Sequence, residues 1–143
     1  MGTRHLIMIT YKGIKLLAQY GQCDGGFEGQ GYDIAKFLNQ PNYLTINQLK
    51  ELAVSPLITI GAHTQHHVSL PNTTLDAARK EIIGSKTDLE QLLGIKITQF
   101  AYPYGRFNQN IEDLVKQAGF QTAVTTLPGT TQSNLFALTR IRI

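Results

Sequence analysis

The chain has 143 residues, 42% of them apolar and 16% charged, with a formal charge of +3. That length gives one domain with a real core, and so small and scattered a charge argues against a nucleic-acid partner. Cys23 is the only cysteine, which excludes an internal disulfide and a cysteine-zinc cluster.

The first third reads least clearly. Leu6 to Thr10 has the pattern of a strand and Ile14 to Tyr20 that of a short helix. Gly21 to Gly31 holds five glycines in eleven residues, poor material for a packed element, so an irregular segment is expected. Residues 1–42 are the atypical part of the single domain expected over 1–143. No basic region followed by an apolar stretch opens the chain, so no signal peptide is read in it. Export of the full-length protein would depend on a signal outside this sequence.

From Thr45 onward the pattern is regular. Thr45 with Gln48 forms a capping box ahead of Leu49, Leu52 and Val54, and Pro56 ends that helix. Leu57 to Ala62 reads as a buried strand, far too short to span a bilayer. A cap between Asn72 and Thr74 opens a helix from Leu75 to Leu93, with Gly94 as its stop. Ile95 to Tyr102 is the next strand. Asn108 caps a helix closed by Gly119, Phe120 to Thr126 is a strand, Pro128 to Asn134 a loop, and Phe136 to Ile143 a last strand. Arg140 and Arg142 alternate with apolar residues there, as on one solvated strand face. Strands alternating with helices imply parallel pairing, hence an α/β barrel or open sheet.

Three of the four histidines fall in His63-Thr64-Gln65-His66-His67, directly after a strand. Loops at the C-terminal ends of parallel strands are where α/β proteins place ligands. Residues four apart on a helical turn share a face, so His63 and His67 could reach one metal ion while His66 points elsewhere. The spacing alone fits a solvated polar loop equally well, and two ligands are too few for a tight site.

Two blocks carry a family resemblance. Gly61-Ala62-His63-Thr64-Gln65-His66-His67-Val68-Ser69-Leu70 resembles the second motif of the polysaccharide deacetylases (carbohydrate esterase family 4, the NodB-like domain). In that motif a histidine and a hydroxyl residue precede two variable positions and a second histidine. The resemblance makes His63 and His67 metal ligands and Thr64 the hydroxyl residue bracing the loop. Phe100-Ala101-Tyr102-Pro103-Tyr104-Gly105, followed by Asn108, resembles the third motif in the form of one bacterial branch. It implies that Tyr102, Pro103 and Tyr104 line the substrate groove and that the Tyr104 backbone N–H helps hold the oxyanion. Ala118-Gly119-Phe120 and Leu138-Thr139-Arg140-Ile141 also fit, so the match runs from about Tyr43 to the C-terminus.

What the resemblance implies is a partial or truncated irregular (β/α) barrel and a divalent ion, usually zinc. The reaction is hydrolysis of N-acetyl groups on an N-acetylglucosamine polymer: peptidoglycan, chitin or poly-N-acetylglucosamine, outside the cell or at its surface. Ester hydrolysis on xylan would use the same site. The family's first motif, with its aspartate base and aspartate ligand, has no counterpart: no two aspartates are adjacent. Ile9-Thr10-Tyr11-Lys12-Gly13 imitates its outline without a carboxylate, and Cys23-Asp24-Gly25 offers one aspartate. No histidine follows His67 to serve as the family's general acid. The chain is therefore expected to be an impaired deacetylase. The alternative is a non-catalytic or vestigial carbohydrate-binding domain, with Tyr102, Tyr104 and Phe107 as its stacking surface.

Overall fold

A computed structural model describes residues 6–11, 14–20, 45–56, 58–130 and 133–140. Strand β1 (Leu6–Tyr11) pairs antiparallel with β2 (Ile14–Tyr20), and β2 pairs antiparallel with β3 (Ile58–Gly61). A second sheet has β4 (Gln99–Ala101), β5 (Thr122–Pro128) and β6 (Leu138–Arg140) in parallel order. The two sheets meet at a parallel bridge between Ala62 and Phe100. There the Ala62 N–H donates to the Gln99 carbonyl and the Ala101 N–H to the Ala62 carbonyl, both at 2.9 Å.

Among the described residues three helices connect these strands: α1 (Ile46–Ala53), α2 (Leu75–Leu93) and α3 (Gln109–Gln117). Each starts where a side chain caps it. Thr45 and Gln48 make the reciprocal capping box, Thr74 accepts from the Ala77 N–H, and Asn108 accepts from the Ile111 N–H. Gly94 ends α2 in the left-handed conformation, at φ 68°. α2 buries Ala78, Ile82, Ser85 and Leu89, residues three or four apart on one stripe. α3 buries Ile111, Leu114 and Val115, and α1 buries Leu49 and Leu52. These stripes close on Ile60, Ile97, Phe100, Tyr102 and Phe120. Each such apolar side chain removed from water contributes about 1.5–3 kcal/mol.

The α/β class and the parallel order of the second half agree with the sequence pattern. The N-terminal part differs, because Ile14–Tyr20 is a strand rather than a helix. Tyr11 lies opposite Ile14, so two residues, Lys12 and Gly13, separate β1 from β2. A two-residue connection ending in glycine between apolar runs is a hairpin signal, and Ile14, Leu16, Ala18 and Tyr20 keep the period of two that a strand requires.

The strand after α2 is also shorter than the apolar run from Ile95. Glu90 accepts the Ile97 N–H at 2.9 Å and the Lys86 ammonium donates to the Ile97 carbonyl. With its backbone satisfied from the helix, Ile97 needs no ladder partner. Arg140 is half-buried instead of lying on a solvated face, and Arg142 lies outside the described residues, as do Cys23, Asp24 and the glycine-rich stretch. Among the described residues no helix is long and apolar enough to cross a membrane.

The phase of α2 is testable. Ile82 is wholly buried whereas its neighbour Ile83 is 42% exposed. Urea denaturation should show Ile82→Ala losing about 2–5 kcal/mol and Ile83→Ala less than about 1 kcal/mol. Equal losses would put the helix in the wrong rotation.

Candidate metal and substrate site

The junction of the two sheets delivers the first histidine. Gly61 passes the neighbouring strand so closely that a Cβ there would sit 3.1 Å from the Gln99 carbonyl oxygen. Two residues on, His63 is buried at 6% exposure, and its Nδ1 lies 2.7 Å from the Ala101 carbonyl oxygen. A carbonyl can only accept, so Nδ1 carries the proton. In the neutral ring the lone pair then belongs to Nε2, the tautomer a metal ligand needs.

The His67 ring meets His63 edge-on with centroids 4.9 Å apart, and Tyr104 meets His67 at 4.6 Å. His63, His67 and Tyr104 thus converge from the ends of β3 and β4. His66 does not join them: it is 70% exposed, and its Nδ1–H donates to Glu81 Oε1 at 2.7 Å.

The histidine loop is not the helical turn that its spacing allowed. Thr64 has φ 60° and His67 φ 55°. A left-handed backbone between and at the two positions, rather than a turn of helix, brings the rings together. The remaining described non-glycine residue at positive φ is Tyr104, at 59°. Each such conformation costs about 1–3 kcal/mol and persists only where surrounding contacts over-determine it. All three lie at this site.

The contacts that hold the loop come from α2. Glu81 Oε2 accepts the backbone N–H of Gln65 and of His66, each at 2.9 Å. The Gln65 side chain crosses α2 at Gly84, where a Cβ would come within 2.4 Å of it, and donates to Asp88 Oδ2 at 2.7 Å. The family resemblance makes Thr64 the residue that braces this loop. Thr64 is fully buried, but its hydroxyl has no hydrogen-bond partner among the described residues, so Glu81 does the bracing. Sequence reasoning passed over Glu81. The available signal was the spacing Glu81, Gly84, Asp88, which puts two carboxylates on one helical face with a glycine between them.

A second set of contacts fixes the tyrosine loop. Gly105, at φ 68°, is obligatory: a Cβ would lie 2.2 Å from Thr126 Oγ1 and 2.5 Å from the Thr126 nitrogen. Thr126 in turn donates its hydroxyl to the Tyr104 carbonyl at 3.3 Å. Tyr104 itself is exposed, with the Arg106 guanidinium carbon 5.9 Å over its ring.

Tyr102 and Pro103 are buried, so neither presents a side chain to a ligand. Tyr102 stacks on Phe107 at 4.7 Å and donates its hydroxyl to the Phe136 carbonyl at 3.0 Å. Of the expected stacking surface, the Tyr102 ring is buried, Phe107 is partly buried and Tyr104 is exposed. Burial, and after it the Glu112 carboxylate, push the Tyr102 phenol well above its ordinary value of 10.0. Glu112 is buried too, held by Lys116 at 2.7 Å and by the Asn134 amide at 3.1 Å.

Two imidazoles suit a divalent ion such as zinc, and the His63 tautomer fits that role. Among the described residues no group of three or more His, Cys, Asp or Glu side chains converges to hold an ion. Further ligands would come from water or from residues outside that set.

The profile of the polysaccharide deacetylase family matches residues 28–123. YxkH, a Bacillus subtilis (strain 168) protein assigned to the polysaccharide deacetylases, is 30% identical over 120 residues, covering 82% of this chain and 43% of its own. The Streptococcus pyogenes deacetylase PplD, solved in complex with acetate, superposes with a TM-score of 0.67 at 30% identity, over 74% of this chain and 47% of its own. The Bacillus cereus polysaccharide deacetylase BC0361 superposes at 0.64 with 28% identity, over 73% of this chain and 34% of its own. The chain spans less than half the length of each of these relatives.

The buried phenol carries a pH signature. The folded state keeps a proton that the unfolded chain releases above pH about 10. Its stabilisation is therefore complete below that pH and lost as pH rises through the folded value. Tyr102→Phe should cost about 1 kcal/mol at neutral pH through the lost hydrogen bond and make the alkaline decline shallower. Lys116, whose pKa is raised first by its hydrogen bond to Glu112, leaves a residual slope of the same sign. Urea unfolding at neutral and alkaline pH measures this. An unchanged alkaline slope would move the sensitivity elsewhere.

Proposed function

The chain belongs to the polysaccharide deacetylase family, and from that premise we propose that it carries part of a metal-dependent site for removing N-acetyl groups from an N-acetylglucosamine polymer. Peptidoglycan, chitin and poly-N-acetylglucosamine all present that group, and they place the reaction outside the cell or at its surface. The observation behind this reading is the convergence of His63, His67 and Tyr104, with the His63 proton fixed on Nδ1 by the Ala101 carbonyl. The acetate held by the Streptococcus pyogenes relative is the product such a reaction releases.

His63 and His67 are the residues that would hold the ion. A bound zinc would supply Lewis acidity and lower the pKa of its bound water to about 7. Tyr104 offers its ring to the sugar beside His67, and its backbone N–H to the charge that develops on the acetyl oxygen. The rigid seat of that loop on Gly105 and Thr126 keeps the donor from reorganising during the reaction.

Proton transfer is the weak part. No adjacent aspartate pair exists to supply a base and an anionic ligand, and no histidine follows His67 to protonate the leaving amine. General base catalysis alone contributes about a hundredfold to ten-thousandfold, so this chain by itself should be a poor deacetylase. A purely carbohydrate-binding role is less well supported, because Tyr102 and Phe107 stack on each other and leave Tyr104 as the exposed ring of the three.

Zinc affinity by chelator competition tests the site. Changing both His63 and His67 to Ala should abolish binding, whereas His66→Ala should leave most of it. Equal losses from all three would refute the assignment. Acetate release from chitin oligomers tests the chemistry, and near-zero rates are expected. A rapid reaction abolished by Asp24→Asn would show that Asp24 supplies the missing carboxylate.

A further inference from the structure

We propose that Glu81 is a positioning residue whose carboxylate sets the backbone between His63 and His67 so that both rings face one ion. The inference rests on the metal-site reading above. Glu81 lies on α2, outside both recognised motifs, and its side chain is 14% exposed. One oxygen accepts two successive backbone N–H groups, those of Gln65 and His66, each at 2.9 Å, and the other accepts the His66 ring at 2.7 Å.

Successive N–H groups converging on one anionic oxygen form a nest, a geometry that an extended or helical backbone does not offer. The residues on either side of this pair, Thr64 and His67, are the two left-handed residues of the loop. Removing the acceptor leaves two donors unpaired in a half-buried turn and frees both strained positions to relax. His67 then rotates away from His63, which stays fixed to the Ala101 carbonyl. His66 acquires a role as well: its ring clamps the outer face of the carboxylate and takes no part in ligation.

The chemistry separates positioning from mere packing. Glutamine keeps an oxygen for both N–H groups, and its amide can donate to His66 Nδ1 once that ring moves its proton to Nε2. Methionine keeps the volume and the helix but removes the acceptor. Zinc affinity of the whole chain should fall about tenfold to a hundredfold in Glu81→Met, the range typical of residues that orient metal ligands. In Glu81→Gln it should return to within about threefold of the parent.

Amide hydrogen exchange at Gln65 and His66 should accelerate in the methionine variant and recover in the glutamine variant, and this reports on the loop even if overall stability drops. Equal zinc affinity in all three proteins, or a glutamine variant as weak as methionine, would overturn the role of Glu81 while leaving the histidine site standing. Failure of the parent chain to bind zinc at all would overturn both.

Discussion

The hydrogen bond from His63 to the Ala101 carbonyl joins the end of β3 to the end of β4, and the arrangement of the site depends on it. It extends the parallel bridge by which Ala62 and Phe100 connect the two sheets. A buried carbonyl at a strand end needs a donor, and a buried imidazole needs an acceptor for its N–H. Each satisfies the other, and the same contact fixes the ring's tautomer and direction. Tyr102, directly after Ala101, enters the core and packs on Phe100 and Phe107. That burial leaves Tyr104, two residues further on, to turn outward toward His67. One strand end thus orients the first histidine and launches the tyrosine loop.

Rigidity at this site comes from elements remote in sequence. The histidine loop is held by α2 through Glu81 and Asp88, and the tyrosine loop by β5 through Thr126. Three left-handed non-glycine residues in two short loops could not persist if each loop depended on its own contacts. Placing them against a helix and a strand that are themselves packed into the core ties the site's geometry to the stability of the whole. The buried Glu112, with Lys116 and Asn134, does similar work for the segment leading to β6.

Much of this was legible in the sequence, for reasons that can be named. Thr45, Thr74, Asn108 and Gly94 announce helix ends through local chemistry, and each does so in the structure. The histidine pair and the Tyr104 segment are short and contiguous, so their chemistry is visible without a fold. Three features were not visible. Ile14–Tyr20 fits helical and strand periods alike over seven residues, and only the pairing with β1 and β3 decides between them. The left-handed conformation at Thr64 runs against the preference of a β-branched residue, and the one at His67, though histidine tolerates it better, has no local sequence signal. Glu81 reaches the loop across sixteen positions of chain to Gln65, a contact that no local pattern encodes. Tyr102 misled in the opposite direction, since an aromatic residue in a groove motif invites a role against sugar while its ring belongs to the core.

The central claim is that two imidazoles of this chain, His63 and His67, share one divalent ion. X-ray absorption on the zinc-loaded chain tests it most directly. The account predicts two imidazole nitrogens at about 2.0–2.1 Å, with oxygen donors completing the shell and both nitrogens lost in the His63→Ala/His67→Ala protein. A sulfur scatterer at about 2.3 Å, which would bring in Cys23, or a shell with fewer than two imidazoles would contradict it.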